Sequence, residues 1–259
     1  MIDQVYRILY CPIAKNACTS LKRSFVDFGS IRLDHDLLAQ ESIHVILDSG
    51  NTGYQLGDLP AVIAEDIILD DAYFSFAVVR DPLERLLSVY REKFVLHRRE
   101  QAQLRHTGPV TAAIQRCSPE EIDTEKGITF EDFMIYILGS EHMDLDPHWR
   151  PQFLYLQGIK YKKIYLDLEL DRLAEDIRSF AGKKFPLRQE NTSRTVGRER
   201  YLEEAYKYSP ADLEPMIREI STSSFYNDSY RLKIGDYYSK DCLLVMKTLN
   251  SDYNALPKT

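Results

Sequence analysis

The feature that most restricts the fold is a strand pattern followed directly by a helix pattern, which the chain repeats. Residues 5–11 are rich in aliphatic, aromatic and β-branched side chains, interrupted only by Arg7, as in a strand covered on both faces. Apolar side chains then recur at steps of three and four over residues 17–28, and Gly29 follows as a helix stop. This order predicts a central, parallel strand, then a loop and a helix.

Two more units have the same order. Residues 72–80 (AYFSFAVVR) form a strand pattern that runs into Asp81 and Pro82, a favoured N-cap and a favoured first helical residue, so we expect a helix from there to about Arg99. Residues 163–168 predict a further strand and precede an amphipathic helix. The alternation predicts an α/β, three-layer fold with a mostly parallel central sheet flanked by helices.

Length and composition predict one globular domain over residues 1–259. With 44% hydrophobic residues the chain can bury one substantial core, and no repeat or composition break marks a boundary.

Thr129 resembles the start of a capping box for a helix that Gly139 ends. Near the C-terminus we expect a helix at about residues 210–221 and a packing role for the tyrosine-rich residues 225–238.

Charge and cysteine usage restrict the partners and the compartment. The net charge of -7 argues against general attraction to nucleic acid or anionic membrane, so an anion site must come from locally placed Lys and Arg. No apolar run approaches the roughly 20 residues that cross a bilayer, and no leader sequence is evident. The four cysteines lack metal-ligand or CxxC spacing. We predict a soluble, cytoplasmic protein, with a trimmed lumenal domain as the alternative.

The loop at residues 12–20 (PIAKNACTS) links the first strand to the first helix. Backbone N–H groups at such a turn point at one spot, where the helix dipole favours an anion. Lys15 adds a mobile charge, and Thr19 and Ser20 add hydroxyl donors. The GxxxxGK[ST] pattern of ATP-binding loops is absent, with no glycine in the loop or its helix. The loop therefore predicts a phosphate site of another kind, and an ordinary turn that binds nothing is the alternative.

A second cationic group lies at the end of the second strand pattern. On a helix that begins at Asp81, the side chains of Arg85, Ser88 and Glu92 share one polar face. Arg80 at the strand end and Ser88 two turns into the helix can close on one anionic group, at the edge where ligands bind to open α/β sheets. The alternative is a solvated pairing of the two arginines with acidic neighbours and an incidental serine hydroxyl.

The stretches CPIAKNACTSLKR and FAVVRDPLERLLSVYREKF resemble the two cofactor motifs of the carbohydrate sulfotransferases, the family of chondroitin, dermatan and HNK-type enzymes. The first is similar to that family's 5'-phosphosulfate loop, usually PKxACT, and the second to its 3'-phosphate motif, RDPxxRxxSxYRxKF. DPHWRPQ at residues 146–152 and YNDSYRL at residues 226–232 are also similar to the family. Ala14 stands where the family usually has proline, while Lys15 and Thr19 keep their register.

The resemblance implies a P-loop-like fold, a co-substrate and the residues that bind the co-substrate. The co-substrate is 3'-phosphoadenosine 5'-phosphosulfate (PAPS), and Arg80 and Ser88 would hold its 3'-phosphate. The residues that would grip the 5'-phosphosulfate are Ala14, Lys15, Asn16, Ala17, Cys18, Thr19 and Ser20. The implied function is transfer of a sulfuryl group to a hydroxyl, expected on a saccharide or glycolipid. A nucleotide-dependent kinase and a non-catalytic nucleotide-binding module are the alternatives.

Lys15 and His148 are the candidate catalytic residues. Sulfuryl transfer resembles phosphoryl transfer, in which positioning and charge stabilisation do most of the catalysis, so we expect no metal and expect Lys15 to stabilise the leaving group. The acceptor hydroxyl needs a base, and the candidates are His148, His44, His35 and Glu92. His148 either takes that proton or only orders its loop, and Glu92 is more simply explained by an ion pair.

Two further segments allow a functional and a plain interpretation. The run YREKFVLHRRE, with Arg105 and His106 beyond it, either steers an acidic polymer or is a solvated helix end. The loop at residues 191–195 either closes over the nucleotide or is an ordinary surface loop.

Overall fold

The computed structural model describes residues 1–29, 42–48, 50, 52–188 and 199–253. The chain folds as two compact units. The first comprises Met1–Arg80, Gln152–Asn191 and Leu244–Thr259, and the second comprises Asp81–Pro151 and Thr192–Leu243. A single domain over the whole chain stays a prediction.

A mostly parallel sheet forms the centre of the first unit. Its strands, in the spatial order β1-β2-β3-β4, are β1 (Ile2–Asp3), β2 (Ile8–Cys11), β3 (Phe74–Val79) and β4 (Lys163–Leu166). β1 is antiparallel to β2, whereas β2, β3 and β4 run parallel to one another. The predicted α/β class with a mostly parallel sheet is confirmed, and β2 has a neighbour on each side as expected.

The predicted strand at residues 5–11 is shorter in the structure. Val5 and Tyr6 donate their backbone N–H groups to Oδ1 of Asp3, and Arg7 has a left-handed φ of 52°. These bonds make a turn between β1 and β2, so Val5 is 71% exposed and the strand begins at Ile8. The end of β4 is also earlier than predicted, because the chain leaves the strand after Leu166.

The helices, in chain order, are α1 (Cys18–Phe28), α2 (Ile43–Asp48), α3 (Ala61–Leu69), α4 (Pro82–Val89), α5 (Gln101–Gln115), α6 (Phe130–Leu138), α7 (Leu170–Ala181), α8 (Pro210–Leu213), α9 (Asp228–Tyr237) and α10 (Ser239–Tyr253). In the first unit, Phe25 of α1 and Ile177 of α7 belong to one buried cluster with Tyr10 and Phe76 of the sheet. This packing fixes the start of α1 relative to the end of β2. None of the helices in the described ranges is both long and apolar enough to span a bilayer.

The second unit is built around aromatic side chains. Asp81 caps α4 as predicted, by accepting from the N–H groups of Leu83 and Glu84. The sequence predicts that this helix continues to about Arg99, whereas α4 ends at Val89 and Tyr90–Leu96 forms a π-helix with its C-cap at His97. The buried rings of this unit's core are those of Tyr90, Phe94, Phe130, Phe133, Trp149, Tyr206, Phe225, Tyr226 and Tyr238.

The remaining sequence predictions for the second unit are confirmed in part. Thr129 forms the predicted capping box, and Gly139 follows the last residue of α6. Of the helix predicted at 210–221, only Pro210–Leu213 is α-helical. Residues 225–238 have the packing role expected of them, because Phe225 and Tyr238 are buried in the core.

Candidate functional site

The loop between β2 and α1 has a backbone shape suited to anions. Lys15 and Ala17 have positive φ angles of 70° and 57°, in a loop that has no glycine. Conformations of this alternating kind turn successive N–H groups toward one concave side. Ala17 occupies the N-cap of α1 and gives it no side-chain hydrogen bond. The loop therefore combines backbone angles typical of anion-binding turns with a helix N-terminus that lacks a side-chain cap.

Buried amide side chains hold this loop against the end of β3. Asn16 is 0% exposed, and its Nδ2 donates to the carbonyl of Val78 at 2.9 Å and to Oε1 of Gln152 at 2.6 Å. Gln152, also 0% exposed, accepts from the N–H of Arg80 at 3.0 Å and donates to its carbonyl at 2.8 Å. The predicted loop and the predicted arginine are thus joined through one side chain that sequence reasoning did not single out.

Arg80 follows β3 directly and is held at the next strand end. Its Nε lies 3.1 Å from Oδ2 of Asp167, which follows β4. The side chain of Arg80 is 14% exposed and that of Asp167 is 22% exposed. Because β2, β3 and β4 are parallel, the loop, Arg80 and Asp167 all follow the carboxyl ends of neighbouring strands. This is the edge at which ligands bind to open α/β sheets.

A chain of polar side chains leads from Thr19 away from the loop. Oγ1 of Thr19 lies 2.8 Å from Nε2 of His44, and Nδ1 of the same ring lies 3.2 Å from Nζ of Lys22. Lys22 is 1% exposed and contacts Oδ1 of Asp48 at 2.5 Å. The Asp48 carboxylate raises the pKa of His44 to about 9. Burial works to raise the pKa of Asp48, but hydrogen bonds from His44 and Lys22 outweigh it and lower that pKa.

In the second unit, His148 is oriented by a carboxylate. Its ring Nδ1 and its backbone N–H both donate to Oδ1 of Asp146, at 2.6 Å and 2.9 Å. His106 donates from Nδ1 to Oδ2 of the same carboxylate at 2.8 Å, while its Nε2 accepts from Arg105. Burial lowers the pKa of His148 to about 4, so its ring is neutral near pH 7. The remaining nitrogen, Nε2, has no hydrogen-bond partner among the described residues and can accept a proton.

The ligand atoms of His106, Asp146 and His148 lie within 4.8 Å of one another, which makes this the group in the described ranges that could hold a metal ion. Each ring nitrogen that faces the carboxylate already shares a proton with it. Burial works to raise the pKa of Asp146, but hydrogen bonds from His148 and His106 keep that pKa far below its ordinary value. The arrangement is complete as an aspartate-oriented histidine pair.

The predicted polar face of α4 is buried. Arg85 is 1% exposed and Ser88 is 3% exposed. Arg85 donates from Nη1 to the carbonyl of Arg150 at 2.8 Å and from Nη2 to that of Pro147 at 3.2 Å. The alternative of a solvated arginine is therefore wrong for Arg85, which supports the segment that carries His148. The role expected of Ser88, as a ligand of the 3'-phosphate, stays a prediction.

The charged run after Ser88 also has structural partners. Arg98 is 4% exposed and contacts Glu214 at 2.6 Å, and Arg99 contacts Glu125 at 2.5 Å. These arginines are neutralised by ion pairs, which weakens the interpretation of the run as a basic steering surface. Two further sequence predictions, those for His35 and for residues 191–195, lie outside the described residues.

The fold is that of an α/β protein, and its loop and Arg80 follow the carboxyl ends of parallel strands, where such sheets bind ligands. The sequence pattern of the sulfotransferase family matches residues 1–244, and the chain belongs to this family. The match confirms the resemblance seen in the two motifs and does not favour the kinase alternative. A search of solved structures found no match to the chain.

The similar proteins of known name are carbohydrate sulfotransferases. The chain is 30% identical over 196 residues to carbohydrate sulfotransferase 14 of Mus musculus, covering 73% of this chain and 49% of that protein. It is 29% identical to the Homo sapiens protein of the same name, again covering 73% of this chain and 49% of that protein. It is 25% identical to carbohydrate sulfotransferase 10 of Xenopus laevis, covering 66% of this chain and 46% of that protein. The chain therefore spans about half the length of these relatives.

Proposed function

We propose that this protein transfers the sulfuryl group of PAPS to a hydroxyl group of a carbohydrate. The observation that carries the proposal is the position of the loop and Arg80 at the ends of β2 and β3, tied together by Gln152. A nucleotide with an anionic group at each end needs two cationic positions of this kind. The names of the relatives support the carbohydrate acceptor, and a glycolipid is included because it offers the same hydroxyls.

In this proposal, residues 14–20 hold the 5'-phosphosulfate. The loop N–H groups and the N-terminus of α1 supply fixed donors, and Lys15 supplies a positive charge. Arg80 contacts the 3'-phosphate while Asp167 holds its guanidinium from the other side. Ser88 is proposed as a second 3'-phosphate ligand on the strength of the RDPxxRxxS motif.

The chemical step is an in-line displacement at sulfur. The acceptor oxygen forms a bond to sulfur while the bond from sulfur to the bridging oxygen breaks, and negative charge develops on that bridging oxygen. Lys15 and the α1 N-terminus stabilise this charge, so Lys15 acts in the transition state more than in binding.

His148 is the proposed base. Its Nδ1 proton is committed to Asp146, and the Nε2 lone pair is available for the proton of the acceptor hydroxyl. The step as written uses no metal ion, so a chelator such as EDTA is expected to leave turnover unchanged. A loss of activity in EDTA that zinc restores would instead assign the His106, Asp146 and His148 group to an ion.

The test is titration calorimetry with 3'-phosphoadenosine 5'-phosphate (PAP), the product of the donor. Arg80→Ala should lose a charge-assisted contact of about 1.5 to 3 kcal/mol, which weakens PAP roughly 10- to 150-fold. Arg218→Ala, at an exposed site, is the matched control and should bind as wild type does. Lys15→Ala should reduce turnover with PAPS by more than it weakens PAP, and Lys160→Ala controls for loss of a surface charge.

The outcomes separate the proposed function from its rivals. Undiminished binding of PAP by Arg80→Ala would remove the 3'-phosphate assignment. If ATP displaces PAP and binds with an affinity similar to that of PAP, a kinase would be favoured. Tight PAP binding with no sulfuryl transfer to any of a broad panel of saccharides would favour a non-catalytic module. The cytoplasmic location stays a prediction, with a lumenal domain as the alternative.

A further inference from the structure

His44 lies next to the loop without belonging to either sequence motif. It comes from α2, and its ring fills the space between Thr19, at the first turn of α1, and Lys22, one turn further along. Its side chain is 41% exposed, whereas that of Lys22 is 1% exposed. The ring therefore connects a buried cation to a hydroxyl at the helix N-terminus.

The proton positions in this group follow from its members. Nζ of Lys22 is held by the Asp48 carboxylate and is a hydrogen-bond donor that cannot accept. Two descriptions of the facing nitrogen, Nδ1 of His44, are then possible. Either it accepts from Lys22 at 3.2 Å and the ring is neutral, or it carries a proton directed at Oδ2 of Asp48, 3.6 Å away, and the ring is cationic.

Both descriptions leave a proton on Nε2. The neutral ring must carry its single proton there because Nδ1 is the acceptor, and the cationic ring has protons on both nitrogens. The third form, a neutral ring with a proton on Nδ1 only, would direct that proton at the Asp48 carboxylate, and beside this carboxylate the pKa of the ring is raised to about 9, so near pH 7 such a ring carries the second proton on Nε2 as well. Nε2 of His44 therefore donates to Oγ1 of Thr19 at 2.8 Å.

A hydroxyl that accepts at its oxygen keeps its own hydrogen for another partner. Within the described part of the chain, the Thr19 hydroxyl has no hydrogen-bond partner besides His44. Thr19 lies in the first turn of α1, where the orphan N–H groups of the helix also point outward.

We propose that His44 is a positioning residue that fixes the Thr19 hydroxyl as a donor to the anion bound by the loop, through the relay Asp48, Lys22, His44 and Thr19. This inference rests on the proposed function, since the anion is the 5'-phosphosulfate of the donor. His44 acts through Thr19 and touches no substrate. Its removal lets the hydroxyl rotate, so that part of its hydrogen bonding to the anion is lost.

The test is a double-mutant cycle read by calorimetry with PAP, which keeps the 5'-phosphate. Thr19→Ala and His44→Leu should each weaken PAP roughly tenfold, as expected for one lost hydrogen bond to a charged group. The double variant should be no weaker than either single variant, because the two changes remove the same contact. His44→Gln retains an N–H donor and should recover most of the affinity, and His97→Leu is the matched control in the second unit.

A second measurement reads the relay without any ligand. Nitrogen-15 NMR of the histidine rings should show a proton on Nε2 of His44 in wild-type protein. A proton on Nδ1 alone would overturn the relay, and so would additive losses in the cycle, which would mean that His44 contacts the anion by itself. If wild-type protein binds no PAP, the proposed function fails, and the role of His44 toward the anion fails with it. If wild-type protein binds PAP and His44→Leu binds it with the same affinity, this inference alone is overturned.

Discussion

The side-chain amide of Asn16 donates to Oε1 of Gln152 at 2.6 Å, and both side chains are 0% exposed. The same Oε1 atom accepts a hydrogen bond from the backbone N–H of Arg80. One buried oxygen is therefore bonded both to the loop that follows β2 and to the backbone that follows β3. The position of the loop relative to Arg80 is therefore set inside the protein, before any ligand binds.

The first prediction concerns Gln152→Leu. The substitution removes the partner of the Arg80 N–H, of the Arg80 carbonyl and of Asn16, and it leaves these groups buried. We expect the free energy of unfolding to fall by about 2 to 4 kcal/mol, because each unsatisfied buried group costs about 1 to 3 kcal/mol. Urea denaturation measures this, with the exposed Gln157→Leu as the matched control. A loss under 1 kcal/mol would mean that the bridge is not needed for folding.

The second prediction concerns Arg85→Met. This change keeps most of the side-chain volume but leaves the carbonyls of Pro147 and Arg150 without their donors. We expect a loss of about 2 to 4 kcal/mol in the free energy of unfolding and faster amide hydrogen exchange at residues 146–150. Arg85→Lys should recover little, since an ammonium group cannot span both carbonyls. Unchanged exchange in that segment would contradict a supporting role for Arg85.

The third prediction concerns the balance of charge beside the loop. Asp48→Ala leaves Lys22 buried without its carboxylate partner. Breaking a buried ion pair in this way lowers the free energy of unfolding by about 3 to 5 kcal/mol. We expect a loss near the low end of this range, because Asp48 is 48% exposed and water can enter. Lys22→Met leaves a half-exposed aspartate that water can solvate, so a change within about 1 kcal/mol is expected. Urea denaturation of the two variants side by side measures the order. The opposite order would mean that Lys22 is hydrated.

The fourth prediction concerns pH. The folded-state pKa of His148 is lowered to about 4 from 6.5, so the unfolded chain binds more protons in this window and stability falls as the pH drops through it. The site should lose up to about 3 kcal/mol between pH 6.5 and pH 4, at about 1.36 kcal/mol for each unit of pKa. Asp146, whose pKa is also lowered, adds a loss of the same sign at lower pH.

The matching variant for this pH dependence is His148→Gln. It should lack the loss between pH 6.5 and pH 4, and denaturation series at half-unit steps of pH would measure the slope. A slope that persists in His148→Gln would assign the titration to another group. Turnover in wild-type protein should decline only as the pH approaches about 4, the folded-state pKa of His148, because a protonated Nε2 cannot act as base.

Features that depend on local sequence could be predicted well. Asp81 and Thr129 cap their helices because a short side chain at the N-cap reaches back to nearby N–H groups, whatever the rest of the fold does. The parallel strands at residues 8–11 and 74–79 follow from their apolar runs in the same way.

Features that depend on distant partners could not be predicted. Arg85 has the helical spacing of a surface residue, and it is buried because two carbonyls more than sixty residues away need donors. Asp3 disrupts the predicted strand through its bonds to Val5 and Tyr6, which periodicity does not report. Gln152 has no chemical signal of its own in the sequence, since an amide at the end of a motif is buried or exposed according to its neighbours.

The left-handed conformations of Lys15 and Ala17 also bear on how such loops are found. Glycine is the usual residue at positive φ because it has no Cβ, and phosphate loops are commonly recognised by their glycines. In this chain an alanine and a lysine adopt the same backbone region, at a cost of about 1 to 2 kcal/mol each. Surveys that search for glycine spacing will pass over chains of this kind, whereas a search on backbone angles would retrieve them.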